Sequence, residues 1–294
     1  MKKIFYLAAA MSIVAFASCE KQGGKEDDKE ATKVTVAEDA LVLHLPFEDG
    51  SVAVGEGVTF ASKEGKAELV DGFIGKAYTN TSGDAKEAGY LKYNLAATNC
   101  INSLKSFTFS AWVKRPALGS GAFFSVNGGE HDWGSTFHLM FDNTGVGEDG
   151  ATYQQFNARI DSYKEGEDGA KFQASCWPNV QGPEFAKVDE WFHVARTYDA
   201  ATGAWKVYVD GVQTHDGVHE FGDPAGPFGD LDLASPTMNA LYIGGWAAII
   251  DGVNNQDWMT FFNGSIDEVR MYNRALTDTE IGQLWQQEKL INLE

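Results

Sequence analysis

The chain has 294 residues, 42 Asp and Glu against 23 Lys and Arg, and a formal net charge of −19. No cluster of Lys and Arg interleaved with aromatics runs along it, so the electrostatic footprint of nucleic-acid binding is missing, and attraction to polyanionic polysaccharides is disfavoured. Acidity of this size suits a soluble extracytoplasmic protein.

The N-terminus opens with Lys2 and Lys3, continues with an apolar run from Ile4 to Phe16 and ends in Ala17-Ser18 before Cys19. This pattern predicts a signal peptide over residues 1–18, too short to span a membrane permanently. The small-small-Cys ending resembles the lipobox of bacterial lipoproteins, which implies lipidation of Cys19, although Phe16 stands where that pattern prefers Leu. The alternative is ordinary cleavage that leaves Cys19 as a free or paired thiol. Lys25-Glu26-Asp27-Asp28 resembles the acidic surface-export signal of some Gram-negative lipoproteins and implies an outer-membrane, cell-surface location; a plain solvated linker has the same composition. Residues 19–38 carry almost no large apolar groups and read as a flexible acidic tether. Residues 39–294, with abundant glycine, 13% aromatics and many short alternating runs, predict one all-β domain.

Leu41, Leu43, Leu45 and Phe47 alternate with Val42, His44 and Pro46 to give a first strand, and Glu48-Asp49-Gly50 follow at its tip. Weaker strands are predicted near 58–60 and 77–79, and clearer ones at 89–94 and 107–114. In the last of these Phe107, Phe109, Ala111 and Val113 share one face, which leaves Trp112 on the other, covered by a loop or exposed. Strand-like runs follow at 122–126, 136–141, 153–160 and 171–177. Between the first two, Asn127, His131, Asp132 and Trp133 bring amide, imidazole, carboxylate and an aromatic plate within seven residues. Sugar recognition uses that mixture, an apolar ring face with planar polar groups beside it; a turn whose Trp133 tucks into the sandwich edge is the other reading. Cys100 and Cys176 can form a disulfide in an oxidising compartment or stay as two buried thiols.

Strands at 191–198, 205–209 and 212–215 form a meander, with Asp210-Gly211 as a two-residue hairpin turn. After a strand at 241–244, Trp246, Asn255 and Trp258 lie in a loop that offers a second sugar platform, or else closes the sandwich end. In residues 266–272 strict alternation puts Asp267 on one face with Val269 and Met271. A carboxylate turned inward needs a cation or several hydrogen-bond donors. Thr277 and Glu280 then read as a capping box, opening one or two amphipathic helical turns through Ile281, Leu284 and Trp285.

The strings GSIDEVRMYNRALTDTEIGQLW, EWFHVARTYDAATGAWKVYVDGVQT and LYIGGW resemble the laminin-G-like jelly-roll domains of the concanavalin A-like lectin/glucanase superfamily. The resemblance implies an all-β, two-sheet antiparallel jelly-roll sandwich with a short C-terminal helix. Members bind calcium, sugars or protein partners, or are carried beside enzymes. It further implies that the opening strand lies near the late one, so that Glu48 or Asp49 approaches Asp267. A structural calcium ion would then bridge them; backbone amides, Arg270 or Arg274 would satisfy Asp267 equally.

The Glu-x-Asp-x-(x-)Glu strand of the retaining glucanases is missing, since Ser265, Asp267 and Val269 occupy the matching face. No lyase motif, GxSxG elbow or HExxH is present. The sequence therefore predicts a non-catalytic, lectin-like surface lipoprotein that captures glycan. Its alternatives are a protein-binding adhesion module and, further off, a glycoside hydrolase or polysaccharide lyase.

Overall fold

A computed structural model describes residues 33–128, 134–166, 169–222, 224–254 and 256–293. Two antiparallel sheets face each other. The first runs, strand by neighbouring strand, Val212–Val218, Ala204–Val209, Phe192–Tyr198, Phe107–Lys114, Ser265–Tyr272, Leu41–Leu45 and Val54–Gly55, with Lys76–Asn80 and Ala67–Asp71 attached beside Ser265–Tyr272. The second runs Lys171–Cys176, Thr152–Glu165, Ser135–Val146, Gly121–Asn127, Ala240–Ile243, Gly89–Leu95 and Val58–Gly65. Among the described residues no helix is long and apolar enough to cross a membrane.

The alternation read in residues 107–114 holds. Phe107, Phe109, Ala111 and Val113 enter the core between the sheets, where they meet Phe123, Phe124, Phe137, Phe141 and Phe156 of the second sheet. Edge-on ring contacts such as Phe109 with Phe124, 5.1 Å between centroids, fill that layer and add to the plain burial of apolar area. The opening and closing strands are neighbours, and Leu41 lies opposite Tyr272.

The outer face of the first sheet is sealed by helix Asp278–Asn292, longer than the one or two turns expected from sequence. Its capping box is present, with Thr277 accepting from the Glu280 amide and Glu280 reaching back. Ile281 and Leu284 pack against Tyr208, Tyr272 and the N-terminal residues Val36 and Ala40. Trp112 is covered rather than exposed: its ring stacks on Phe73 at 3.5 Å, and its Nε1 donates to Glu288 Oε2 at 2.8 Å.

Glu288 is fully buried and lies 3.1 Å from Arg270 Nη1, which also donates to Glu268 Oε2 at 2.6 Å; His44 Nε2 stands 2.8 Å from the same oxygen. Burial pushes the Glu288 carboxyl up to about 7, against the pull of Arg270. It pushes Asp267 up to about 8. An acid that holds its proton more tightly folded than unfolded loses stability as pH rises from its unfolded to its folded value. For Glu288 that window runs from 4.5 to about 7 and for Asp267 from 3.8 to about 8. Glu280 has the opposite sign: its bond to Arg274 holds it down at about 2, so its contribution is lost as pH falls from 4.5 toward that value. Stability, and with it the melting temperature, is therefore expected to peak near pH 4 and to fall from there to about pH 8, where both windows have closed. Glu288→Gln should flatten the alkaline side of that curve in a calorimetric pH series, and an unchanged slope would remove Glu288 as its cause.

A cleft on the outer face of the second sheet

With the first sheet closed, the second sheet is the one whose outer face meets the long loop between Ile243 and Ser265. That loop begins with the single-turn helix Ala247–Ile250. Ser125 holds its start, donating to Gly245 O at 2.7 Å and accepting from the Ala247 amide at 2.9 Å. Asn127 holds the far end of the helix. Its Nδ2 donates to Asp251 Oδ2 at 2.8 Å and Asn239 Oδ1 at 2.9 Å, while its Oδ1 accepts from the backbone of Asn239 and Ala240. Trp246 is thereby pressed onto the sheet, buried among Ala122, Met140, Ala248 and Met259, with its ring 5.0 Å from His138. Trp258 meets it edge-on at 5.4 Å and stays 43% exposed.

Between this loop and the sheet lies a cleft of about 100 Å³ lined by His138, Met140, Asp142, Asn157, Arg159, Trp177, Trp246 and Trp258. Period-2 alternation builds its floor. Phe137, Leu139 and Phe141 point into the core, so His138, Met140 and Asp142 point out; Asn157, Arg159 and Asp161 do the same between Phe156, Ala158 and Ile160. His138 stands directly across from Arg159, and Asp161 from Ser175. Arg159 Nε donates to Asp161 Oδ1 at 2.9 Å, its Nη2 to Ser175 Oγ at 2.9 Å, and its guanidinium sits 5.3 Å from the Trp177 ring centre. Trp177 is 44% exposed, so the cleft has one partly open tryptophan at each rim.

Three buried polar atoms in this region have no hydrogen-bond partner among the described residues: His138 Nδ1, Asn157 Oδ1 and Asp161 Oδ2. Such groups ordinarily cost about 1–3 kcal/mol each when unmet, which makes them ready to pair with hydroxyls that enter. Burial, aided by Arg159 and Arg196, holds His138 down at about 3, so the ring is neutral. Burial also raises Asp142 above the usual carboxylate range. Larger hollows exist elsewhere, notably one of about 470 Å³ beside Val36, Leu41 and Val54. Its floor, Arg270, is already paired with Glu268 and Glu288.

Of the residues singled out from sequence, Trp258 reaches this cleft with an exposed face. Trp246 lines it from a buried position, and Asn127 has its side-chain groups bound internally. His131, Asp132, Trp133, Asn255 and Cys19 lie outside the described residues. Cys100 and Cys176 are separate buried thiols instead of a disulfide. Cys176 closes the edge strand opposite Ile160 and accepts from Arg196 Nη2 at 3.5 Å, whereas the Cys100 amide is held by Glu56 O.

Asp267 requires a correction of face. A bulge between Asp267 and Arg270, with Glu268 at φ +50°, inserts an extra residue, so Val269 and Met271 enter the core while Asp267 lies opposite Trp112 on the helix-covered side. Asp267 is nevertheless fully buried. Its Oδ2 accepts from the Ile74 amide at 2.8 Å and its Oδ1 from the Glu268 amide at 2.7 Å. Glu48 engages the same turn through the Lys76 amide at 3.3 Å, and Asp49 accepts from Ser51. The turn comes this close because it carries glycines: a Cβ at Gly75, whose φ is +56°, would lie 2.0 Å from Glu48 Oε1. Among the described residues no three His, Cys, Asp or Glu side chains gather to hold a metal ion. Glu48 and Asp267 thus both accept from backbone amides of the turn at residues 74–76.

The residues missed in sequence are His138, Asn157, Arg159 and Trp177. Their only signal was polar alternation in two adjacent strands, which any solvated sheet face shows.

Comparison with solved structures places the architecture. Domain 4 of AbnA, a GH43 extracellular arabinanase from Geobacillus stearothermophilus, determined in complex with arabinotriose, is 21% identical over 84% of this chain and all of that one, with a TM-score of 0.47. The binding domain of botulinum neurotoxin serotype D/C VPI 5993 is 13% identical over 85% of this chain, with a TM-score of 0.53. That of Paraclostridial Mosquitocidal Protein 1 is 13% identical over 84%, also at 0.53. The chain spans about half the length of these two toxin domains, 52% in each case. No curated protein matches its sequence. The Laminin_G_3 family, described as concanavalin A-like lectin/glucanases superfamily, matches residues 87–282. With that match covering well over half of the chain and the two-sheet sandwich in place, the protein belongs to the Laminin_G_3 family of the concanavalin A-like lectin/glucanases superfamily.

Proposed function

We propose that the protein is a non-catalytic carbohydrate-binding module whose site is the cleft on the outer face of the second sheet. One observation carries this reading: two tryptophans, 177 and 258, stand 44% and 43% exposed at the rims of a cleft whose floor bears buried, unmet polar atoms. Tryptophan faces suit the C–H face of a sugar ring, and the fixed amide, imidazole and carboxylate groups between them suit its hydroxyls. The superfamily, which includes lectins, agrees with it.

The non-catalytic part rests on the carboxylates. Glu268 is fixed by His44 and Arg270 under the C-terminal helix, and Asp267 is held by backbone amides there. At the cleft, Asp142 accepts from Ser120, and Asp161, beside the lining Arg159, is tied to Arg159 and Ser175.

Trp258→Ala and Trp177→Ala are each expected to weaken retention in polysaccharide-containing native gels by about tenfold in affinity, about 1.4 kcal/mol. Because both rings are partly exposed, the melting temperature should move by only a few degrees. Unaltered migration of the parent protein across a broad glycan panel, together with specific capture of a purified protein through the same two tryptophans, would replace this reading with a protein-binding one.

A further inference from the structure

This inference rests on the carbohydrate-binding reading and concerns which glycan the cleft accepts. Trp258 lines two hollows. One is the cleft over His138, Asn157 and Arg159; the other, about 320 Å³, is bounded by Ser120, Thr260 and Asn263. They share Trp258 and are linked by a hydrogen bond, since Ser120, which lines one, donates from Oγ to Oδ1 of Asp142, which lines the other, at 3.4 Å. The second hollow is also bordered by Ala117 and Gly119, both small and exposed.

Size and charge then narrow the occupant. At about 100 Å³ the first cleft has the volume of roughly three waters, which admits one edge of a sugar ring and leaves its body and linked neighbours above Trp258. Its cation, Arg159, is bonded to Asp161, and Asp142 adds a second carboxyl group, within a chain of net charge −19. A glycan carboxylate or sulfate would face repulsion there.

We propose that the site binds a neutral, linear glycan through an internal stretch of at least two sugar residues laid across Trp258, rather than a terminal sugar or an acidic polymer. The His138 ring, held neutral by burial, adds no positive charge to the site.

The test runs the full chain on native gels containing arabinan, xylan, galactomannan or mixed-linkage β-glucan as neutral probes, and polygalacturonate or alginate as acidic ones. Calorimetry follows with size-graded oligosaccharides from whichever neutral polymer retards it. Retardation by a neutral polymer is expected, with affinity rising at least about tenfold from monosaccharide to trisaccharide. Ala117→Arg, which puts bulk into the second hollow only, should abolish that rise and leave monosaccharide binding within about twofold. A monosaccharide that binds as tightly as the trisaccharide, retardation by acidic polymers alone, or a rise that survives Ala117→Arg would overturn the proposal and leave the carbohydrate-binding reading standing. Failure of every polymer to retard the protein would overturn both.

Discussion

Arg270→Ala is expected to destabilise the protein by roughly 3–5 kcal/mol, read as a shift of the urea midpoint at unchanged slope. The substitution removes the guanidinium that both Glu268 and Glu288 face under the C-terminal helix. Glu268 is held below its ordinary range even though burial works against its charge, because its bond to His44 and the charge of Arg270 outweigh that penalty. Without Arg270 the two acids must either take up protons or stay charged in a dry layer. A triple variant that replaces Arg270, Glu268 and Glu288 by Leu, Gln and Met should lose less than Arg270→Ala alone, since it leaves no unmatched charge. The reverse order of stabilities would show that the ion pairs themselves, and not the cost of orphaning them, hold the helix down.

Trp246→Ala should cost a similar amount, about 3–5 kcal/mol, and abolish glycan retention together with stability. The ring is 1% exposed and is enclosed by Ala122, Met140, Ala248 and Met259. Its loss opens a cavity beneath the loop and removes the surface against which Trp258 rests at 5.4 Å. Two tryptophans twelve positions apart thus play different parts, one as a wedge under the loop and the other as a partly open face. Thermal melts of Trp246→Ala and Trp258→Ala side by side would separate them, and equal melting temperatures would contradict the burial argument.

The strands were legible because both sheets bury one face against the other. In residues 107–114 and 136–141 every second side chain is an aromatic or aliphatic group that enters the core, and period-2 counting finds such runs directly. The same counting misplaced Asp267. A bulge breaks the period at one residue and leaves no mark in composition, so Asp267, Val269 and Met271 looked like one face although the backbone turns between them at Glu268. Helix length was underread as well. Ile281 and Leu284 announced the buried stripe, but Glu288 continues it as a buried carboxylate whose partners, Trp112 and Arg270, come from strands far away in the chain.

The cleft was half legible. Trp258 stood out because a tryptophan beside amides in a loop is unusual, while His138, Asn157, Arg159 and Trp177 were hidden inside strands read only for fold. What distinguishes them is the loop held over them through Asn127 and Ser125, a juxtaposition of residues more than a hundred positions apart. Asn127 itself was identified as a ligand contact and instead holds that loop.

The register that sets Leu41 opposite Tyr272 brings the beginning and the end of the sandwich to one spot on its rim. A fold whose two ends meet can be spliced into a surface loop of another protein, or reopened elsewhere and rejoined, with little strain on its sheets. Cutting the backbone in the exposed turn at Ala201 and linking the old ends would therefore give a permuted chain with the same cleft.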